Sequence, residues 1–148
     1  MLAHKATKEG EVCAEVIAGK AAAKDWVTVP GIIFTDPEIA TVGLTEEQAR
    51  AKGHKLKIFR TTFRPMKHII ASNDQRVLMK MVVDVATDRV LGVHMIGARA
   101  TELVAEAAVA LRLECTVEEL IRTIHAHPTM SEAVGEAAHA VHGAAIHA

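Results

Sequence analysis

The segment His125-Ala126-His127-Pro128-Thr129-Met130-Ser131-Glu132 gathers a base, a rigid turn and a carboxylate into eight consecutive residues. A histidine followed by proline is steered out of helical backbone, and Pro128 stiffens the exit into the next element, so the His127 imidazole sits on a fixed loop. A general base needs such a mounting. Glu132, in the first turn of the following helix, can fold back to accept the ring N–H, which would fix the tautomer and stabilise the imidazolium. The same residues also have a plainer explanation. Thr129-Met130-Ser131-Glu132 is itself a capping box, which would use Glu132 as a helix cap and leave His125 and His127 as occupants of a polar turn. No nucleophilic cysteine lies nearby, and Ser131 is engaged by the helix start. A base here would therefore act on a group supplied from elsewhere.

Other chemistries find less support. His139 and His142 share a helix face at i, i+3, and with His125, His127 and His147 they place five of the nine histidines at the C-terminal end. Without cysteine ligands or an HExxH arrangement, a polar helical surface explains them and no metal site is expected. Gly92 and Gly97 do not belong to a GxGxxG, and no GxxxxGK[ST] occurs, so any dinucleotide must be held by another domain. Three Phe, one Trp and no Tyr offer no stacking platform for bases, and a net charge of −1 favours neither nucleic acid nor an anionic membrane. Cys13 and Cys115 lack a CxxC partner and are expected to be buried thiols.

The elements that position the His127 segment follow from periodicity. Residues 2 to 18 set Ala3, Ala6, Val12, Cys13, Val16 and Ile17 at helical spacings and end at Gly19, which predicts an amphipathic helix. Ile32 to Thr35 reads as a strand, Asp36-Pro37 as a bend and Ile39 to Gly43 as a second extended piece. Thr45-Glu46-Glu47-Gln48 is a capping box for a helix ending near Gly53, and Lys55 to Phe63 alternates like a strand. Val77 to Val85 and Arg89 to Ile96 predict a hairpin of central strands. After Gly97 come helices over 101–113, over 117–124 behind the capping box Thr116-Val117-Glu118-Glu119, and over 131–142. The 101–113 stretch carries Glu102, Glu106 and Arg112 and is too short to span a bilayer. Strands followed by helices predict an α+β domain, an antiparallel sheet covered by helices, with a boundary near residue 25. Residues 1 to 5 lack a secretory core, so the cytoplasm or an organelle matrix is expected.

The string from His125 to Ala138 resembles the C-terminal signature of dihydrolipoamide dehydrogenases. Leu2-Ala3-His4-Lys5-Ala6 with Glu9-Gly10, Phe34 to Ala40 with Val42-Gly43, and Gly92 to Gly97 resemble successive segments of that family in the same order. In these flavin disulfide reductases an FAD domain with a redox-active CxxxxC and an NAD domain precede a C-terminal interface domain. The resemblance implies that residues 1–25 are the last helix and linker of the FAD domain and 26–148 the dimerisation domain. This chain is then expected to be an expressed fragment, inactive alone. FAD and NAD are implied for the longer enzyme, with none held by the fragment. Leu2, Ala3 and His4 would face the flavin together with His127 and Pro128. His127 is implied to be the base that one subunit supplies to the disulfide and flavin of the other in a homodimer, with Glu132 holding it. The implied substrate is dihydrolipoamide, free or on the lipoyl domain of a 2-oxoacid dehydrogenase complex. Phe63-Arg64-Pro65-Met66 and Leu78 to Asp84 are more similar to glutathione reductases. A glutathione reductase-like or mercuric reductase enzyme is therefore an alternative, as is a stand-alone interaction module.

Overall fold

A computed structural model describes residues 2–62 and 76–146. Two features singled out in the sequence, residues 63–66 and His147, lie outside the described residues. Helix α1 spans Ala3–Ile17, followed by strands β1 (Gly31–Ile33) and β2 (Ile39–Gly43), helix α2 (Glu46–Ala51), and strands β3 (Leu56–Thr61), β4 (Leu78–Asp84) and β5 (Val90–Ile96). Helices α3 (Ala100–Arg112), α4 (Val117–Arg122) and α5 (Glu132–Val141) complete the described elements. Each lies within a few residues of its expected place. The expected class, an antiparallel sheet covered by helices, is the class observed.

The strands join in the order β1-β2-β5-β4-β3, every neighbour antiparallel. Alternation decides which face is dry, because successive side chains point to opposite sides of a strand. On the covered face, Ala40, Met95 and Met79 form one cross-strand row and Val42, Val93 and Met81 the next. All six are buried. Against them pack Val104, Ala107, Ala110 and Leu111 of α3 and Ala133, Val134, Ala137 and Val141 of α5. The small residues let both helices lie close to the sheet, which locks α5 and the loop before it to the core. On the opposite face the row Thr41, His94, Lys80, Arg60 is polar. There Glu46 receives Lys80 at 3.0 Å and Arg60 at 2.7 Å, which offsets two like charges placed side by side.

Both predicted boxes at α2 and α4 are present, with Thr45 and Gln48 in the first and Thr116 and Glu119 in the second exchanging side-chain and backbone bonds. A different device starts α3. Its cap residue Arg99 is left-handed at φ 59, and the Glu38 carboxylate, from the turn before β2, accepts the Thr101 amide at 3.0 Å and its hydroxyl at 2.8 Å. Those bonds, the amide first, hold the Glu38 carboxyl below the usual carboxylate range.

Helix α1 corrects one expectation. It contains no buried residue, and Cys13 is exposed rather than buried, with Val16 at 53% and Ile17 at 81% exposure. Val12 of the apolar side borders a cavity with Trp26, Val29 and Pro30 and is half-buried, while Cys13, Val16 and Ile17 are exposed, so amphipathicity alone does not bring burial. Cys115 is partly buried, and desolvation raises its thiol pKa. No helix among the described residues is long and apolar enough to cross a membrane.

Candidate active site

The loop between α4 and α5 carries the candidate base. Thr123 leaves the helical conformation at ψ 127, ending α4, and the chain runs through His125-Ala126-His127-Pro128 before α5 begins at Glu132. Met130, 7% exposed, plugs the loop into the core. The Thr129 hydroxyl donates to the Ala126 carbonyl at 2.6 Å and lies 2.7 Å from the Ser131 hydroxyl. The segment is thus pinned on both sides of Pro128.

His127 and Glu132 lie within hydrogen-bond distance. Nδ1 lies 2.8 Å from Glu132 Oε1, and because a carboxylate can only accept, Nδ1 carries the proton in this pair. Nε2 is then the basic nitrogen, on a side chain 56% exposed. Glu132 also accepts the Thr129 amide through Oε2 at 2.9 Å. One carboxylate therefore orients the imidazole and caps the turn at once. The full capping box at 129–132 does not form, since the Thr129 hydroxyl is turned toward Ala126 and the cap residue Ser131 makes no side-chain cap.

A second imidazole–carboxylate pair stands beside the first. His125 Nε2 lies 2.6 Å from Glu106 Oε1, with the His125 side chain only 10% exposed. In the sequence Glu106 reads only as a polar interruption of an apolar helix. Its spacing held the signal: Glu106 falls three residues after Leu103 and four before Ala110, on the inward stripe of α3.

The other candidate residues lie elsewhere. Leu2 and Ala3 line a hollow with Lys5 and Glu9, while His4 borders a cavity of about 350 Å3 shared with Trp26, Pro30 and Arg112. The His4 ring nitrogen Nε2 lies 2.8 Å from the Pro30 carbonyl, tying α1 to the segment that enters β1. Pro128 instead borders a cavity of about 340 Å3 with Arg99, Glu102, Leu103 and Glu106. His4 and Pro128 thus belong to separate cavities. Groups of three or more possible metal ligands are absent among the described residues.

Comparison with known proteins agrees with this architecture. The family model described as "Pyridine nucleotide-disulphide oxidoreductase, dimerisation domain" matches residues 29–138. The chain is 46% identical over 147 residues to a dihydrolipoyl dehydrogenase of Halobacterium salinarum, covering 99% of this chain and 31% of that protein. It is 42% identical over 147 residues to a mitochondrial dihydrolipoyl dehydrogenase of Pisum sativum, covering 99% of this chain and 29% of that protein. Among solved structures, LpdA from Mycobacterium tuberculosis superposes with a TM-score of 0.86 at 26% identity, over 95% of this chain and 31% of that one. The chain therefore spans less than a third of the length of each of these proteins.

Proposed function

Because the chain belongs to the pyridine nucleotide-disulphide oxidoreductase dimerisation-domain family, we propose that it is the interface domain of a dihydrolipoamide dehydrogenase-like flavoenzyme and supplies the His127–Glu132 dyad to the active site of a partner subunit. One observation carries the reading: Glu132 binds Nδ1 at 2.8 Å, which leaves Nε2 as the basic nitrogen of an exposed imidazole on a pinned loop. The domains that hold FAD, NAD and the reactive disulfide belong to the remainder of such an enzyme.

The chemistry follows from the tautomer. Nε2 takes the proton of one thiol of dihydrolipoamide, and the thiolate, the nucleophilic form, attacks a sulfur of the partner subunit's disulfide. Glu132 stabilises the imidazolium formed in that step. That attack breaks the S–S bond, leaving a mixed disulfide and a free cysteine thiolate. The second thiol passes its proton to that thiolate, attacks the substrate sulfur of the mixed disulfide and expels the other cysteine as thiolate. The dithiol is thereby oxidised to the lipoyl disulfide as the enzyme's disulfide is reduced. FAD, when bound, would take the electron pair from the reduced disulfide and pass it to NAD.

The start of α1 suits an electron-rich ring. Its cap residue Leu2 makes no side-chain hydrogen bond to the helix and no acidic residue stands in the first turn, so no side chain of the cap or first turn offsets the positive end of the helix. Leu2 and Ala3 would meet the flavin through the backbone, and His4 would brace the helix end through Pro30, with His127 and Pro128 approaching from the partner.

A homodimer is the assembly this reading requires. Val109 and Leu113, four residues apart at the end of α3, and Ile124 beside the loop are 59%, 69% and 97% exposed, apolar side chains that a second copy would cover. Dihydrolipoamide, free or on a lipoyl domain, is the proposed substrate. In the full-length enzyme, His127→Gln should lower dihydrolipoamide-dependent NAD reduction by about 10²–10⁴-fold, the range for loss of a general base. Undiminished turnover in that variant would remove His127 from the mechanism.

A further inference from the structure

The two imidazole–carboxylate pairs of the loop differ in exposure, and the difference assigns them different work. His127 is 56% exposed and faces outward, whereas His125 is 10% exposed and faces Glu106 of α3. Only Ala126 separates them, and the Ala126 carbonyl is itself held by the Thr129 hydroxyl at 2.6 Å. The His125 ring also rests on Gly135 in the second turn of α5. A Cβ added at Gly135 would stand 2.9 Å from His125 Nδ1 and 3.2 Å from Cε1, closer than a methyl can sit without moving the ring. The bare backbone at Gly135 thus forms the floor on which the imidazole lies. Glu106, Gly135 and the loop come from three separate parts of the chain and converge on this one ring.

We propose that the His125–Glu106 pair, seated on Gly135, is a positioning device that sets the aim of His127 Nε2. The inference rests on the reading of His127 as the base. A base acts only within hydrogen-bond reach of the proton it removes, and a displacement of about 1 Å at such a group can cost about 10²-fold in rate. Among the described residues, His127 has Glu132 as its side-chain anchor, on the α5 side. The partly buried His125–Glu106 pair supplies the anchor on the α3 side, so the loop is held between two helices that both pack on the sheet.

The test uses the full-length flavoenzyme, with turnover expressed per bound flavin. His125→Ala removes the ring, His125→Gln places an amide donor near the lost Nε2–H, and Gly135→Ala keeps the dyad but lifts the ring from its floor. Alanine is a better helix former than glycine, so Gly135→Ala is not expected to weaken α5 by propensity. The expected result is a fall of about 10-fold or more in kcat for His125→Ala and Gly135→Ala, within the 1 Å penalty above. Flavin content and the KM for NAD should stay unchanged, and His125→Gln should regain most of the loss. The acid limb of the kcat/KM profile for dihydrolipoamide should also move in His125→Ala, because the hold on His127 changes. Should His125→Ala fail to fold, Gly135→Ala and His125→Gln decide alone. Turnover per flavin within twofold of wild type in Gly135→Ala, or a Gln variant as impaired as a folded Ala variant, overturns the inference. Full activity in His127→Gln would instead overturn the reading beneath it.

Discussion

Thr129 and Glu132 form half of a capping box: the Thr129 amide donates to Glu132 Oε2 at 2.9 Å, but the Thr129 hydroxyl turns away to the Ala126 carbonyl. Glu132 Oε1 is left to accept from His127 at 2.8 Å. The helix-cap and base-orienter explanations of Glu132 therefore describe two oxygens of one carboxylate, and substitutions should separate them.

Glu132→Gln keeps a carbonyl oxygen for one of the two bonds but removes the charge opposite an imidazolium. It should lower kcat by about 10-fold or more, well within the range for acid–base groups, while the melting temperature changes little. Glu132→Ala should lose the cap as well, at about 1 kcal/mol. Steady-state kinetics beside thermal melts checks both. Equal losses of stability in the two variants would contradict the division of labour.

At α4, Thr116→Ala breaks a complete capping box, in which Thr116 Oγ1 accepts the Glu119 amide and Glu119 accepts the Thr116 amide at 2.8 Å. The expected cost is about 1 kcal/mol by denaturant titration. Because α4 packs against α5 and leads into the His125 loop, this variant also asks whether stability and turnover are coupled.

Acid should weaken the sheet through His94. Burial, first, and the neighbouring Lys80 lower its pKa, while the bond to the Leu44 carbonyl at 3.1 Å acts in the opposite sense. With the folded pKa below the unfolded value of about 6.5, the stabilisation is fully present above that pH. It is lost as pH falls toward the folded value, because only the unfolded chain gains the proton. His94→Gln keeps a donor for Leu44 and does not titrate. Denaturant midpoints at pH 7.5 and 5.5 should therefore fall further for wild type than for the variant. Asp84 has the same sense at lower pH. Its pKa is lowered first by the Thr87 hydroxyl and also by His54, so the stability it contributes is present above about 3.9 and lost as pH falls through its folded value.

Much of this architecture is legible in local sequence. Thr45 with Gln48, and Thr116 with Glu119, announce α2 and α4 because the box is built from residues three apart. The alternation of Met79, Met81 and Val83 exposes the covered face because strand period is a local property. What stays hidden depends on distant partners. On its inner side β2 pairs with β5, a register set by long-range packing that no short window contains. Glu106 is 19 residues from His125, so their pairing waits on α3 reaching the loop. Cys13 misleads for a related reason: its helix has an apolar stripe, but Cys13, Val16 and Ile17 at its C-terminal half stay exposed.

The central claim, that His127 serves the other subunit, is tested most directly by subunit complementation in the full-length enzyme. One subunit carries His127→Ala with its disulfide intact, and the other carries the native dyad with its redox cysteines replaced by serine. Each homodimer is expected to be nearly inactive. Purified heterodimers should recover about half the wild-type turnover, because one of the two composite sites then unites a working disulfide with a working base. Heterodimers no more active than the two parent homodimers would contradict the account, since the base would then act within its own chain.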